Sequence, residues 1–267
     1  DFTRFYLPLH GLSRDAFFDH LPILVYVESC IYQMDEDNEA ITRRFLDGGA
    51  EGPIPKNIRS KWFDTPIGAA LRGVLESKNL LSKTVLSEME SGQHYWCLEL
   101  ALCAMMATPG DPSSSISLDM VYTCSGMKSF DYRVLHALLC QLIKSEASRD
   151  LLAFLRVDEM LTDMADDLFD YEKDIRKNSF NVLRGCVHAV GEEAPLTLAT
   201  KVGEMEKEHE ALLQKLPKHQ RDAYCESRKH AMRRPGSERW VFPPIVMPDK
   251  EAEARRAWAE EAEEDGG

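Results

Sequence analysis

A chain of 267 residues suits one large domain or two small ones, and its 44% hydrophobic, 29% charged make-up is that of a water-soluble globular protein. A net charge of −13 argues against nonspecific nucleic-acid binding, so no nucleic-acid partner is expected. No apolar run reaches the ~18 residues that a bilayer-spanning helix needs.

Residues 1–12 read as an aromatic-rich lead-in containing Pro8 and Gly11. A helix bent near Pro22 is expected from about Leu21 to Leu46, where Gly48 and Gly49 stop it. Its first half is apolar and its second ends in Asp35-Glu36-Asp37-Asn38-Glu39, with Asp35 and Glu39 four apart on one face. Residues 50–65 form a loop. Helices follow over 66–106, broken near Lys78-Asn79 or Ser91-Gly92, and over 116–147, with a break at Ser125-Gly126.

A long helix is expected over 149–188. It carries Asp163-Met-Ala-Asp-Asp-Leu-Phe-Asp-Tyr-Glu-Lys-Asp174, in which Asp166, Asp170 and Asp174 form a ladder flanked by Asp163 and Asp167. Like charges at that spacing oppose helix formation. Such a ladder is either a solvated acidic stripe or the receiver of a cation, and Asp and Glu oxygens suit Mg²⁺. Helices at 196–215 and 217–232 follow, and a Pro-rich run over 243–248 closes the packed domain. Strand signals are almost absent. The expected architecture is therefore all-α: one helical bundle over 1–248 and an acidic tail, exposed helix or disorder, over 249–267.

Seven scattered cysteines (30, 97, 103, 124, 140, 186 and 225) form no CxxC pair and point to a reducing compartment. No signal peptide is visible, so a cytoplasmic location is expected, with a targeting peptide ahead of Asp1 left open. The eight histidines are dispersed and read as core or surface residues, His94 and His136 lying inside apolar helices. HExxH, GxSxG, P-loop and GxGxxG motifs are lacking.

Two acid clusters about 130 residues apart on helices of an all-α chain, with basic residues after the second, can hold several Mg²⁺ ions and neutralise a diphosphate leaving group. Here the residues meet a known family. Asp35-Glu36-x-x-Glu39 resembles the aspartate-rich DDxx(D/E) motif of class I terpene synthases. The run Asp166 to Asp174 resembles their (N/D)D(L/I/V)x(S/T)xxxE motif, with Asp170 where Ser or Thr is usual and Asp174 where Glu is usual.

The resemblance, which covers roughly residues 15–245, implies the class I terpene synthase α-domain fold in a noncanonical, microbial or fungal-type branch. It implies three Mg²⁺ ions, or Mn²⁺ in their place, held by Asp35, Glu36 and Glu39 and by Asp166, Asp170 and Asp174. It also implies a prenyl diphosphate substrate, farnesyl diphosphate by default, and a monomer or homodimer. Lys173 matches a diphosphate-contacting lysine, Arg239 stands before Trp240 where the family has an Arg-Tyr pair, and Arg133, then Lys128, are candidates to sense diphosphate. Tyr32, Trp96, Phe154 and Phe169 are the expected pocket residues. A chain-elongating or head-to-head prenyltransferase and a noncatalytic scaffold of the same fold stay open. Asp166-Asp167-x-x-Asp170 is literally DDxxD, but Thr162 and Asp163 stand where the elongating enzymes carry Phe-Gln.

Overall fold

A computed structural model describes residues 2–13, 15–46, 61–108, 115–231 and 240–265. Among them are twelve α-helices and no strand: α1 Phe2–Leu9, α2 Leu21–Arg44, α3 Pro66–Ser77, α4 Lys83–Ala107, α5 Leu118–Lys128, α6 Phe130–Leu142, α7 Arg149–Phe169, α8 Tyr171–Lys177, α9 Val182–Val190, α10 Ala194–Lys215, α11 Lys218–Ala231 and α12 Glu251–Asp265. The all-α expectation holds. No described helix is long and apolar enough to cross a membrane.

Short polar residues start the helices. Thr65, Ser82, Ser117 and Ser148 each accept a backbone N–H of the helix that follows, satisfying a donor that has no intrahelical partner. Pro22 lies in the first turn of α2, where a missing N–H costs nothing, so it starts the helix rather than bending it. α4 runs unbroken through Ser91-Gly92. The ring of Phe130 on α6 fills the space that a Cβ on Gly92 would take, so this glycine permits a close helix approach.

Three boundaries differ from expectation. The lead-in is itself helical (α1) and packs through Tyr6, Leu7 and Leu9 against α7 and the α10–α11 region. The break in 116–147 falls at Ser129, not at Ser125-Gly126. The stretch 149–188 is three helices, interrupted at Asp170 and at 178–181. Asn178 ends α8 in the left-handed conformation (φ 56°), which Asn tolerates better than most residues because its short amide bonds locally.

Apolar faces of α2 to α10 close on a central core that includes Val27, Ile31, Met89, Val134, Met164 and Leu183. A second cluster holds α1 against Leu139, Leu151, Phe154, Leu155, Leu213 and Tyr224. The tail does not simply begin where the packed domain ends. Its Glu251 is buried and accepts from Arg184 Nε at 2.9 Å and Nη2 at 2.8 Å. Trp258 of the same helix lies 5.4 Å beneath the Arg176 guanidinium. A buried ion pair thus joins α12 to α9.

Candidate active site

The α2 and α7–α8 acids are brought together by one tie. Asn178 Nδ2 donates to the carbonyl of Thr42 near the end of α2 at 2.8 Å, and Arg184 Nη2 donates to Asn178 Oδ1 at 2.8 Å. Glu39 and Asp174 each lie about one turn back from that tie on their own helices. The Lys173 ammonium between them feels Asp170, Asp174 and Glu39 together, and its pKa is raised, mainly by its hydrogen bond to Asp170.

On the α2 wall, Asp35 Oδ1 accepts from Trp96 Nε1 at 2.9 Å. Burial raises the Asp35 pKa, Trp96 offsets part of that, and Glu39 adds to it. Beneath lies Glu99, buried in α4, which accepts from Asn38 Nδ2 at 2.7 Å and from the Tyr95 hydroxyl at 3.0 Å. Burial, then the charge of Asp35, push the Glu99 carboxyl up to about 8.

On the opposite wall are Asp163 and Asp167 of α7, Asp170 at the α7–α8 junction and Asp174 of α8. Asp163 accepts from the Ser129 hydroxyl, and its carboxyl is pushed up to about 7 by burial against the pull of Lys128. Asp167 is buried and accepts from Lys128 Nζ at 2.5 Å and from the first N–H of α9, Val182, at 2.7 Å. Asp174 accepts from Asn181 Nδ2 at 2.9 Å, and burial followed by Asp167 raise it to about 7. Asn181 also caps α9, its Oδ1 accepting from Leu183 and Arg184, so one residue fixes both the acid and the next helix.

Lys128 stands between the walls. Burial opposes its charge, but Asp167 and Asp163 outweigh burial and raise its pKa, and its ammonium also acts on Asp35 and Asp174. Its place in the last turn of α5 suits a cation. Beside it is a cavity of about 160 Å³ lined by Ile31, Tyr32, Asp35, Tyr95, Lys128, Ser129, Phe130, Asp131, Tyr132 and Asp163. Burial lifts Asp131 to about 6, and burial with Asp131 lifts the half-exposed Tyr32 to about 12.

The sequence-expected residues divide accordingly. Asp35, Tyr32, Lys128, Asp174 and Trp96 converge here, Trp96 as the residue that holds Asp35. Asp170 is at the rim with Lys173 Nζ at 2.7 Å, and Asp166 is exposed one turn before it. Glu36 is exposed, and Glu39 accepts from Arg43 Nη1 at 3.2 Å.

Three expected site residues lie apart from the acid cluster. Arg133 points away from the acid cluster: it donates to Glu88 at 2.7 Å and to Glu159 at 3.4 Å, on the wall of a different cavity. Phe154 is in the second core cluster, 4.8 Å from His209 and 4.9 Å from Tyr224 by ring centroids. Phe169 is 82% exposed, because the face of α7 that carries Asp167 and Leu168 turns it outward. Arg239 lies outside the described residues.

Four residues were not assigned to the site from the sequence: Glu99, Asn38, Asp131 and Asn181. Glu99 had a signal, as the one acid within the apolar run Tyr95 to Met106. The other three had none, being ordinary residues until tertiary packing chose them. No family model, no curated protein sequence and no solved structure matches the chain.

Proposed function

We propose that this chain is a Mg²⁺-dependent class I terpene synthase, which ionises a prenyl diphosphate, farnesyl diphosphate by default, and rearranges or cyclises the cation with release of diphosphate. The observation that carries the reading is the convergence of Asp35 and Glu39 with the Asp163–Asp174 acids across the Thr42–Asn178 tie. The donor set fits Mg²⁺. Carboxylate oxygens stand on two walls, Asp35 and Glu39 on α2 facing Asp170 and Asp174, with Asp166 exposed one turn before Asp170. Asp35, Glu39, Asp166, Asp170 and Asp174 are the residues that would hold it. Bound there, Mg²⁺ would draw off charge from the departing diphosphate.

The chain's own groups do the rest. Lys173 at the rim and Lys128 within present ammonium charge to the leaving group. Tyr95, Phe130 and Tyr132 line the cavity with aromatic faces that favour a cation and keep water from it. At about 160 Å³ the cavity is well below the ~300–1,000 Å³ usual for small-molecule sites. Substrate entry therefore requires Tyr32, half exposed at its edge, to move.

The test is diphosphate release by the folded full-length chain with Mg²⁺ and C10, C15 and C20 prenyl diphosphates, with products read by gas chromatography. No release with any of the three sinks the reading. If neither Asp35→Ala nor Asp166→Ala slows turnover, the metal assignment is wrong. A second reading, a noncatalytic helical scaffold, is favoured by one observation: Lys128 already supplies Asp167 with a cation at 2.5 Å. Calorimetric titration that finds no Mg²⁺ uptake would support it.

A further inference from the structure

One to two turns further along α6 than Asp131 and Tyr132 of the acid-cluster cavity, the fold gathers three donor atoms from two widely separated parts of the chain. His10, just past the end of α1, places Nε2 2.8 Å from Nε2 of His136. Cys140 places Sγ 3.8 Å from the first nitrogen and 3.7 Å from the second. All three atoms lie within 4.8 Å of one another. His136 and Cys140 are i and i+4 on α6, which sets them on one face as paired helical metal ligands are set.

We propose that His10, His136 and Cys140 form a Zn²⁺ site with three protein ligands and a fourth position open to the adjoining cavity. Tetrahedral Zn²⁺, with Zn–N about 2.05 Å and Zn–S about 2.3 Å, sets N···N at ~3.3 Å and N···S at ~3.5 Å. The N···S separations already agree to a few tenths of an ångström. The two imidazoles need to part by about half an ångström to exchange their shared hydrogen bond for the metal. An N₂S donor set suits Zn²⁺ rather than the Mg²⁺ that suits carboxylates, so the two sites select different ions.

Burial lowers the pKa of His10, and burial together with His10 lowers that of His136 to about 3, the direction that favours the neutral imidazole a metal takes. On binding, Cys140 gives up its thiol proton to solvent. The proton shared between the two Nε2 atoms leaves its ring's Nε2, and that ring takes one at Nδ1. The net change is one Zn²⁺ bound and one H⁺ released.

The surroundings fix the ligands and provide access. Tyr6 of α1 packs its ring 5.2 Å from that of His136 and donates its hydroxyl to Glu159 at 2.6 Å, which locks α1 where His10 can reach. His136 and Cys140 border a cavity of about 550 Å³, room enough for a water or a small ligand at the fourth position. Zn²⁺ there would clamp α1 to α6 across 126 residues of chain.

The test uses the full-length chain, reduced, stripped with chelator and kept in excess Mg²⁺ so that the carboxylate cluster is occupied. Zn²⁺ is titrated in competition with a chromophoric chelator, and Co²⁺ is then substituted to read a thiolate-to-cobalt charge-transfer band. The expected result is one tight equivalent, a band lost in Cys140→Ser, affinity lowered ~100-fold or more in His10→Gln, and no change in Cys225→Ser. Should a variant fail to fold by circular dichroism, the wild type answers instead, since Zn²⁺ must protect Cys140 from alkylation while the exposed Cys225 still reacts. No stoichiometric uptake, a band that survives Cys140→Ser, or Cys140 alkylation indifferent to Zn²⁺ overturns the site whatever the enzyme assay shows.

Discussion

Glu251→Gln tests the buried ion pair that fastens the acid cluster from behind. Arg184 is 0% exposed and spends its guanidinium on Glu251, the Ser179 carbonyl and Asn178 Oδ1, and Asn178 is the residue that ties α8 to α2. Burial alone would raise the Glu251 carboxyl. His188 at 2.9 Å and Arg184 outweigh it and hold the pKa down at about 2, against an ordinary 4.5. At about 1.4 kcal/mol per pH unit, that gap makes the ionised form worth about 3 kcal/mol of stability. Because the folded pKa is depressed, the contribution is complete above 4.5 and is lost as pH falls toward 2.

Glutamine keeps the shape and one acceptor but not the charge. Urea unfolding should therefore separate wild type from Glu251→Gln by about 3 kcal/mol at neutral pH. The two curves should converge as the pH is lowered through the window between 4.5 and about 2. A gap below about 1 kcal/mol at neutral pH, or one that does not shrink in acid, would show that the pair is not the anchor its geometry implies.

Asn178→Ala should lose about 3 kcal/mol, from three hydrogen bonds and a left-handed φ that alanine resists, while Asn178→Gly should recover about 1 kcal/mol of it; equal urea midpoints for the two would refute the backbone part. Lys128→Met should lower stability by about 2 kcal/mol by leaving Asp167 buried beside Asp163 without its ammonium, and Mg²⁺ should then raise Tm more than in wild type; an equal Mg²⁺ shift in differential scanning fluorimetry would remove Lys128 from the metal's path. Gly92→Ala pushes a methyl into the Phe130 ring and should cost about 1–3 kcal/mol; unchanged thermal unfolding would mean that α4 and α6 separate freely.

The sequence carried the helices well and their rotation poorly. Apolar periodicity and Pro/Gly punctuation located α2 through α4, α10 and α11 to within a few residues, because those signals are local. The interruption after Asp170 was hidden, since no proline or glycine marks it and the residue is as much a helix former as its neighbours. Which aspartates face inward was hidden too. Adjacent residues differ by about 100° around the axis, and Asp166 and Asp167 look alike until the N-terminus of α9 presents the Val182 N–H to one of them. Phe169 misled for the same reason, being apolar on a face that packing never covers. His10, His136 and Cys140 were unreadable as a group, because nothing local joins residues 126 apart.

The acid cluster is a net cost to the fold, with several carboxylates raised in pKa by burial and by one another. Its stability has to come from outside. The helices that carry the acids are fixed at their ends, by Asn178 on the Thr42 carbonyl, Asp167 and Asn181 on the start of α9, and Glu251 beneath Arg184. Most of these ties use backbone groups at helix ends, which need partners in any case. Along the acidic faces the carboxylates take side-chain partners as well, among them Lys128, Ser129, Trp96, Lys173, Asn181 and Arg43. A scaffold selected for stability alone would replace those carboxylates with apolar residues of similar volume, which often stabilises a protein. The ties at the helix ends offset the cost that burial imposes on the acids between them.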